Sequence, residues 1–187
     1  MSDRIFVAFT AEDSGRVVSM DPNEVVNPEG TAFDDAVKFS GATQVTVFAP
    51  VVRGGREDVV DMNRATGCRV SIRRALVKGR YFCTIKGGSK DNYVHANLIG
   101  HGSEVDVDLG NHSDQSREKT TGTFLDLLHD DGSEVSVRVL NADVPVTAHG
   151  SGPYRFVFPW PWLGPLHRPT ALAILWAIRV WKKVGGK

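Results

Sequence analysis

A 23-residue repeat limits what this chain can fold into more than any other feature. Asp58–Arg80 reads DVVDMNRATGCRVSIRRALVKGR, and Tyr81–Ser103 reads YFCTIKGGSKDNYVHANLIGHGS. Each holds a β-rich run, a polar turn with glycine, a second β-rich run, and a basic or histidine residue before a glycine (Lys78-Gly79, His101-Gly102). At an offset of 23, Met62 falls on Ile85, Val70 on Tyr93, Leu76 on Ile99 and Gly79 on Gly102. A unit this short cannot enclose its own core, so neighbouring copies must stack and share one.

The pattern extends in both directions. Upstream, Val37–Gly54 aligns with Asp61–Gly79 across one gap, pairing Val45 with Val70, Val47 with Ile72 and Val52 with Val77. Downstream, EVDVDL from Glu104 leads through the polar insert NHSDQSREKTTG to TFLDLL, and EVSVRVLNADVPVTAHGSG closes the series at Gly152. Val, Ile, Thr, Phe and Tyr fill the runs, and Gly, Asn, Asp and Ser punctuate them, which is the grammar of strands and tight turns. The expected fold is all-β: a short, single-chain parallel β-helix of about five coils, with strands of successive coils stacked about 4.8 Å apart. Its inward ladders would hold Val45, Val47, Met62, Val70, Ile72, Ile85, Ile99, Val105, Val107, Val135 and Val137.

A short stack needs covered ends. Thr31–Lys38 (TAFDDAVK) spaces Ala32, Phe33 and Ala36 as a helix would, behind the turn Asn27–Gly30, and is expected to be an N-terminal capping helix. Arg4–Thr10 and Arg16–Met20 read as strands before it, and Tyr154–Phe158 as the last strand before Pro159. Three parts result: residues 1–30 as N-terminal strands and cap, 31–158 as the β-helix, and 159–187 as a Pro/Trp linker with a basic, hydrophobic C-terminal helix.

Charge separates that last part from the rest. The 187 residues carry 22 basic and 22 acidic groups, yet every acid lies at or before Asp143. From Pro153 onward there are six basic residues and no acid, so the tail is +6 and the remainder −6. Overall neutrality argues against a general nucleic-acid binder. All four tryptophans also fall in the tail. Thr170–Lys183 (TALAILWAIRVWKK) favours a helix after Pro169, but its apolar stretch is too short for the about 20 residues that span a bilayer. Apolar nearly all round, it must be buried in something. It can cap the coil, join a partner chain or its own copies, or lie in a membrane interface through Trp160, Trp162, Leu172, Ile174, Leu175, Trp176, Ile178, Trp181, Lys182 and Lys183.

Chemistry is harder to find. Asp106 and Asp108 share one face of a strand and are the candidate acids for work on a glycan, although alternation alone also places solvated acids outside and valines inside. His101, His112 and Asp114 are weak metal candidates, because their spacing matches no ligand motif. Asn111, His112, Asp114 and Gln115 lie in the polar insert, the expected contact loop. The basic series Arg64, Arg69, Arg73, Arg74, Lys78, Arg80, Lys86 and Lys90 suits a solvated face or a polyanion, without aromatic residues to stack bases before Tyr81. Cys68 and Cys83 make neither a disulfide framework nor a zinc pair. No nucleophile elbow, GxGxxG or P-loop is present, and no cofactor is expected. No signal-peptide-like run follows Met1.

DVVDMNRATGCRVSIRRALVKG followed by YFCTIKGGS resembles the coils of right-handed parallel β-helices, such as pectate-lyase-like enzymes and phage tailspikes. GREDVVDMN, GHGSEVDVDLGNHSDQS and SGPYRFVFP together are similar to uncharacterised β-helix proteins of environmental bacteriophages, over roughly residues 30–158. The resemblance implies a right-handed coil and a virion location. It also implies a structural rather than enzymatic role as a spike, decoration or vertex-associated component, with host attachment as its purpose. Expected partners are other virion proteins and further copies of the chain, trimers first, with a membrane interface at the tail. The alternative is a carbohydrate-binding or carbohydrate-cleaving β-helix acting on a surface glycan. The motifs specify fold far better than function.

Overall fold

The structure, a computed structural model, describes residues 5–79, 81–99, 105–109, 120–129, 135–139, 142–143, 146–150 and 154–157. In chain order its strands are β1 (Ile5–Thr10), β2 (Val17–Ser19), β3 (Val25–Val26), β4 (Asp35–Ser40), β5 (Thr46–Arg53), β6 (Asp58–Asn63), β7 (Arg69–Leu76), β8 (Tyr81–Lys86), β9 (Tyr93–Ile99), β10 (Val105–Leu109), β11 (Thr120–Thr121), β12 (Phe124–His129), β13 (Val135–Val139), β14 (Ala142–Asp143), β15 (Val146–Gly150) and β16 (Tyr154–Val157). The chain is all-β, and the only helical turns among the described residues are 3-10 turns at Ala11–Asp13 and Gly30–Ala32. No helix among the described residues is long and apolar enough to cross a membrane.

The strands form two seven-stranded parallel sheets and one short one. Sheet A runs β1-β4-β6-β8-β10-β13-β16, sheet B runs β15-β12-β9-β7-β5-β2 with β3 also on β5, and β11 pairs with β14. Spatial neighbours in each large sheet are therefore not sequence neighbours. From β4 to β9 the chain lays one strand in sheet A and the next in sheet B, so each circuit adds one strand to both. Parallel strands always need such a crossover. Here the crossover is itself a strand.

Apolar side chains line up in columns between the sheets. Val37, Val60 and Cys83 form one column of sheet A, and Phe39, Met62 and Ile85 the next. In sheet B, Val47, Val70, Val94 and Leu125 form one column, and Ala49, Ile72, Ala96 and Leu127 another. All of these belong to a single buried cluster. Of the expected inward residues, Val45, Val47, Met62, Val70, Ile72 and Ile85 have no exposed surface. The side chains of Ile99, Val105, Val107, Val135 and Val137 lie outside the described residues.

The corner from sheet A to sheet B repeats with unusual backbone. Gly41 and Gln44 both have positive φ, as do Arg64 and Gly67 one circuit on, then Gly87 and Asp91. Parallel bridges Thr43↔Thr66, Thr66↔Lys90 and Lys90↔Thr121 tie these corners together. The third corner has one residue more, with Gly88 also at positive φ, and the surplus is absorbed by buried polar side chains. Ser89 Oγ accepts from the Ala65 N–H at 3.0 Å and donates to the Lys86 carbonyl at 2.7 Å. Asn92 accepts from the Cys68 N–H and donates to the Ala65 carbonyl, both at 2.9 Å. Ser89 thus satisfies the Ala65 N–H, and Asn92 satisfies the Cys68 N–H and shares the Ala65 carbonyl with the Lys90 N–H.

Two sequence expectations require correction. Thr31–Lys38 is not a helix: after a 3-10 turn, Asp35–Ser40 is strand β4, paired on both sides with β1 and β6. Tertiary pairing overrides a helix-compatible spacing that four residues of Ala, Val and Phe satisfy equally well as strand. The upstream register also differs. Val47 pairs with Val70, Ala49 with Ile72 and Val52 with Ala75, an uninterrupted offset of 23 instead of the gapped 25. Downstream, Val70 meets Val94 and not Tyr93, because the third corner is one residue longer, and a bulge in β7 between Ile72 and Ala75 then restores the expected Leu76↔Ile99. The strands read at Arg4–Thr10, Arg16–Met20 and Tyr154–Phe158 are present as β1, β2 and β16. The expected C-terminal helix and its linker lie outside the described residues.

Candidate functional site

Two groups of polar side chains stand out, one buried on sheet A and one open on sheet B. On sheet A, consecutive residues Ala36–Val37, Val59–Val60 and Phe82–Cys83 all join the core, so the strands do not alternate strictly at their starts. That change of face brings residues three apart to one side. Lys38 Nζ lies 2.9 Å from both Asp35 and Asp61, Lys86 Nζ lies 3.2 Å from Asp61, and Thr84 donates to Asp58 at 2.9 Å. The three carboxylates lie within 4.8 Å of one another. Asp35, Asp58 and Asp61 are almost fully buried.

Electrostatics follow from that crowding. Burial first, then the Asp61 charge, pushes the Asp58 carboxyl up to about 8. Asp35 moves up for the same two reasons. Burial disfavours the Lys38 ammonium, but Asp61 and Asp35 outweigh it and hold Lys38 charged above its ordinary value. The Cys83 thiol is raised well above its usual range by burial, then by Asp58 and Asp61, and Cys68 is raised by burial. Neither cysteine is a reactive thiolate. Two ammonium groups already sit where a cation would, so this row works as a buried ionic tie between circuits.

On sheet B the outward side chains fall into two adjacent rows. The first is Thr46, Arg69, Tyr93 and Phe124, and the second is Phe48, Ser71, His95 and Asp126. Period-two alternation puts both rows opposite the buried Val47, Val70, Val94 and Leu125 column. Together these residues, Phe124 apart, line an open cleft of about 290 Å³. The Tyr93 and Phe124 rings stack at 5.8 Å with planes 3° apart, and Phe48 is 48% exposed. Tyr93 donates its hydroxyl to Asp126 Oδ2 at 3.1 Å, and His95 Nδ1 lies 3.2 Å from the same oxygen. Burial, followed by the Asp126 carboxylate, raises the Tyr93 phenol and keeps it a donor. Flat aromatic faces beside a carboxylate, an imidazole, a hydroxyl and the exposed Arg69 suit a ligand with both apolar faces and hydroxyl groups.

Most sequence candidates are elsewhere. Asp106 and Asp108 occupy β10 of sheet A, in register with Tyr81 and Thr84 on one side and Ser136 and Arg138 on the other, and so not on the sheet that carries the cleft. His101, Asn111, His112, Asp114 and Gln115 lie outside the described residues. So do the anchoring candidates Trp160, Trp162, Leu172, Ile174, Leu175, Trp176, Ile178, Trp181, Lys182 and Lys183. Of the basic series, Lys86 is engaged with Asp61, Arg73 reaches the Pro22 carbonyl at 3.3 Å, and Arg69 enters the cleft. Sequence reading missed the cleft and the Asp35/Lys38/Asp58/Asp61 row entirely. The available signal was the period itself: Ser71 and His95 are 24 apart, and Asp126 follows at 31 after the polar insert.

Compared with protein-family models, with curated proteins and with solved structures, the chain matches none.

Proposed function

We propose that the chain is a right-handed parallel β-helix serving a phage-like particle as a spike or decoration component, which attaches to a surface glycan through the sheet B cleft. The observation that carries the attachment role is the cleft: an exposed phenyl ring, the Tyr93 ring held by stacking on Phe124, and hydrogen-bonding groups are fixed on adjacent strands of a rigid sheet. The two parallel sheets, the circuit of about 23 residues and the shared columns support the β-helix assignment. The particle assignment rests on the sequence resemblance, and the basic, Trp-rich tail supplies the anchor in this reading.

Sugars are recognised by aromatic faces against C–H surfaces, flanked by groups that bond to hydroxyls. Phe48 is the most exposed aromatic side chain of the cleft. An aromatic contact of this kind contributes about 0.5–1.5 kcal/mol beyond its area. Phe48→Ala should therefore weaken binding to host surface polysaccharide roughly tenfold, measured by isothermal titration, while leaving the circular dichroism spectrum unchanged. Equal affinity of the two proteins, or no binding by either, would end this reading of the cleft.

A further inference from the structure

The second outward row of sheet B contains a serine, a histidine and an aspartate on three consecutive strands. Ser71 is in register with His95, and His95 with Asp126. We propose that Ser71, His95 and Asp126 form a hydrolytic triad that cleaves a carboxylic ester with a compact acyl group bound in the cleft. Only the alcohol half of the substrate, a sugar hydroxyl, rests on the glycan reading above.

The geometry supplies the histidine–aspartate pair and places the serine in register beside it. Asp126 Oδ2 lies 3.2 Å from His95 Nδ1, so the carboxylate holds the proton on that nitrogen and leaves Nε2 as an acceptor. Tyr93 donates to the same oxygen at 3.1 Å and fixes the carboxylate. Ser71 stands one strand from His95 on the side opposite Asp126, at the about 4.8 Å separation of paired strands. Serine–imidazole contacts in a free enzyme are often longer than in the reacting complex. All three side chains line one cleft, together with Arg69, whose exposed guanidinium is the cation available to a developing oxyanion. The row stands on strands whose opposite faces are fully buried, which gives the rigidity that such a constellation needs.

The reaction balances without a cofactor. Ser71 Oγ bonds to the ester carbonyl carbon as its proton passes to His95 Nε2. The bond from that carbon to the alcohol oxygen then breaks, and the alcohol leaves with the proton from Nε2. Water next bonds to the acyl carbon, giving a proton to Nε2, and the bond to Ser71 Oγ breaks as serine recovers it. One water is consumed and a carboxylic acid is released. Ser71 and His95 are the catalytic residues and Asp126 is a positioning residue.

The test uses the full chain, a fluorophosphonate probe and p-nitrophenyl acetate. The probe should label Ser71, as located by peptide mass spectrometry, and ester hydrolysis should fall by about 10³-fold or more in both Ser71→Ala and His95→Gln. Asp126→Asn should lower kcat with KM little changed, and Asp126→Glu should recover part of the loss. Absence of labelling, labelling that persists in Ser71→Ala, or hydrolysis equal in Ser71→Ala and wild type would overturn the triad. Labelling and p-nitrophenyl acetate hydrolysis are read without polysaccharide, so the triad is scored separately from the attachment role. Polysaccharide binding without any labelling would leave the attachment reading standing and remove this one.

Discussion

At the residue scale, Asp58 is the group whose chemistry reaches furthest. Its carboxyl titrates at about 8 when folded, through burial and then the neighbouring Asp61, against about 3.9 in an unfolded chain. Between those values the folded state keeps a proton that the unfolded state has released. Stability therefore falls as pH rises from about 4 to about 8 and levels off above that. Asp35, raised in the same direction, adds to the fall. Asp58→Asn keeps an acceptor for the Thr84 hydroxyl and cannot ionise. Urea midpoints at pH 5, 7 and 9 should decline clearly for wild type and much less for the variant. A variant that declines as steeply would clear Asp58 of responsibility. None of this was legible in DVVDMN, because two acids flanking a Val-Val pair read as exposed ends of a short apolar run. The change of strand face that buries Asp58 beside Asp61 depends on three strands meeting, which no single segment encodes.

At the scale of strands and corners, the glycines differ in what they permit. Gly55 has no positive φ, but a Cβ there would fall inside the Asp34 carbonyl oxygen of the preceding circuit. Gly79 meets the Gly55 carbonyl in the same way, so the tight approach repeats from circuit to circuit. Gly41 has φ +67° with nothing within 4 Å of a Cβ. Gly41→Ala should cost only the left-handed backbone penalty of about 1–2 kcal/mol. Gly55→Ala must push two circuits apart, and should cost clearly more or abolish soluble expression. The urea midpoint of each variant checks the order, and equal midpoints would show that the circuits separate freely.

The same scale explains what the sequence could reveal. Strand positions and the inward faces of Val45, Val47, Met62, Val70, Ile72 and Ile85 follow from alternation. The pairing of Val47 with Val70 does not, since a slip of two residues leaves every side chain on its own face. Hydrophobic pattern specifies which way a side chain points, while register is decided by corner length, here by Gly41–Gln44 and its repeat at Arg64–Gly67. The Ser71, His95 and Asp126 row was hidden for the same reason: it exists only once the extra residue near Gly87-Gly88 and the insert before Thr120 are counted.

At the scale of the molecule, the charge division gives the clearest expectation. The last 35 residues carry six basic groups and no acid, while the rest carries a net −6. In the proposed reading, a basic, apolar tail of this kind is buried against other chains of an assembly. Light scattering after size exclusion should give a trimer for the full chain and a soluble monomer for a chain ending at Pro159. Monomers in both cases would assign the tail to a different partner or to lipid, and an insoluble shortened chain would make it a cover for the coil.

The constant offset of 23 between β5 and β7, and between β4, β6 and β8, makes the molecule a ruler with divisions of one strand. Neighbours along a row are separated by a whole circuit in sequence, so the circuit is the natural unit of insertion. Duplicating one circuit ahead of Arg69 would move Phe48 one division away from Ser71 while leaving Ser71, His95 and Asp126 in place. Reach along the row and chemistry within it can thus be varied independently, a freedom that a site gathered from loops does not have.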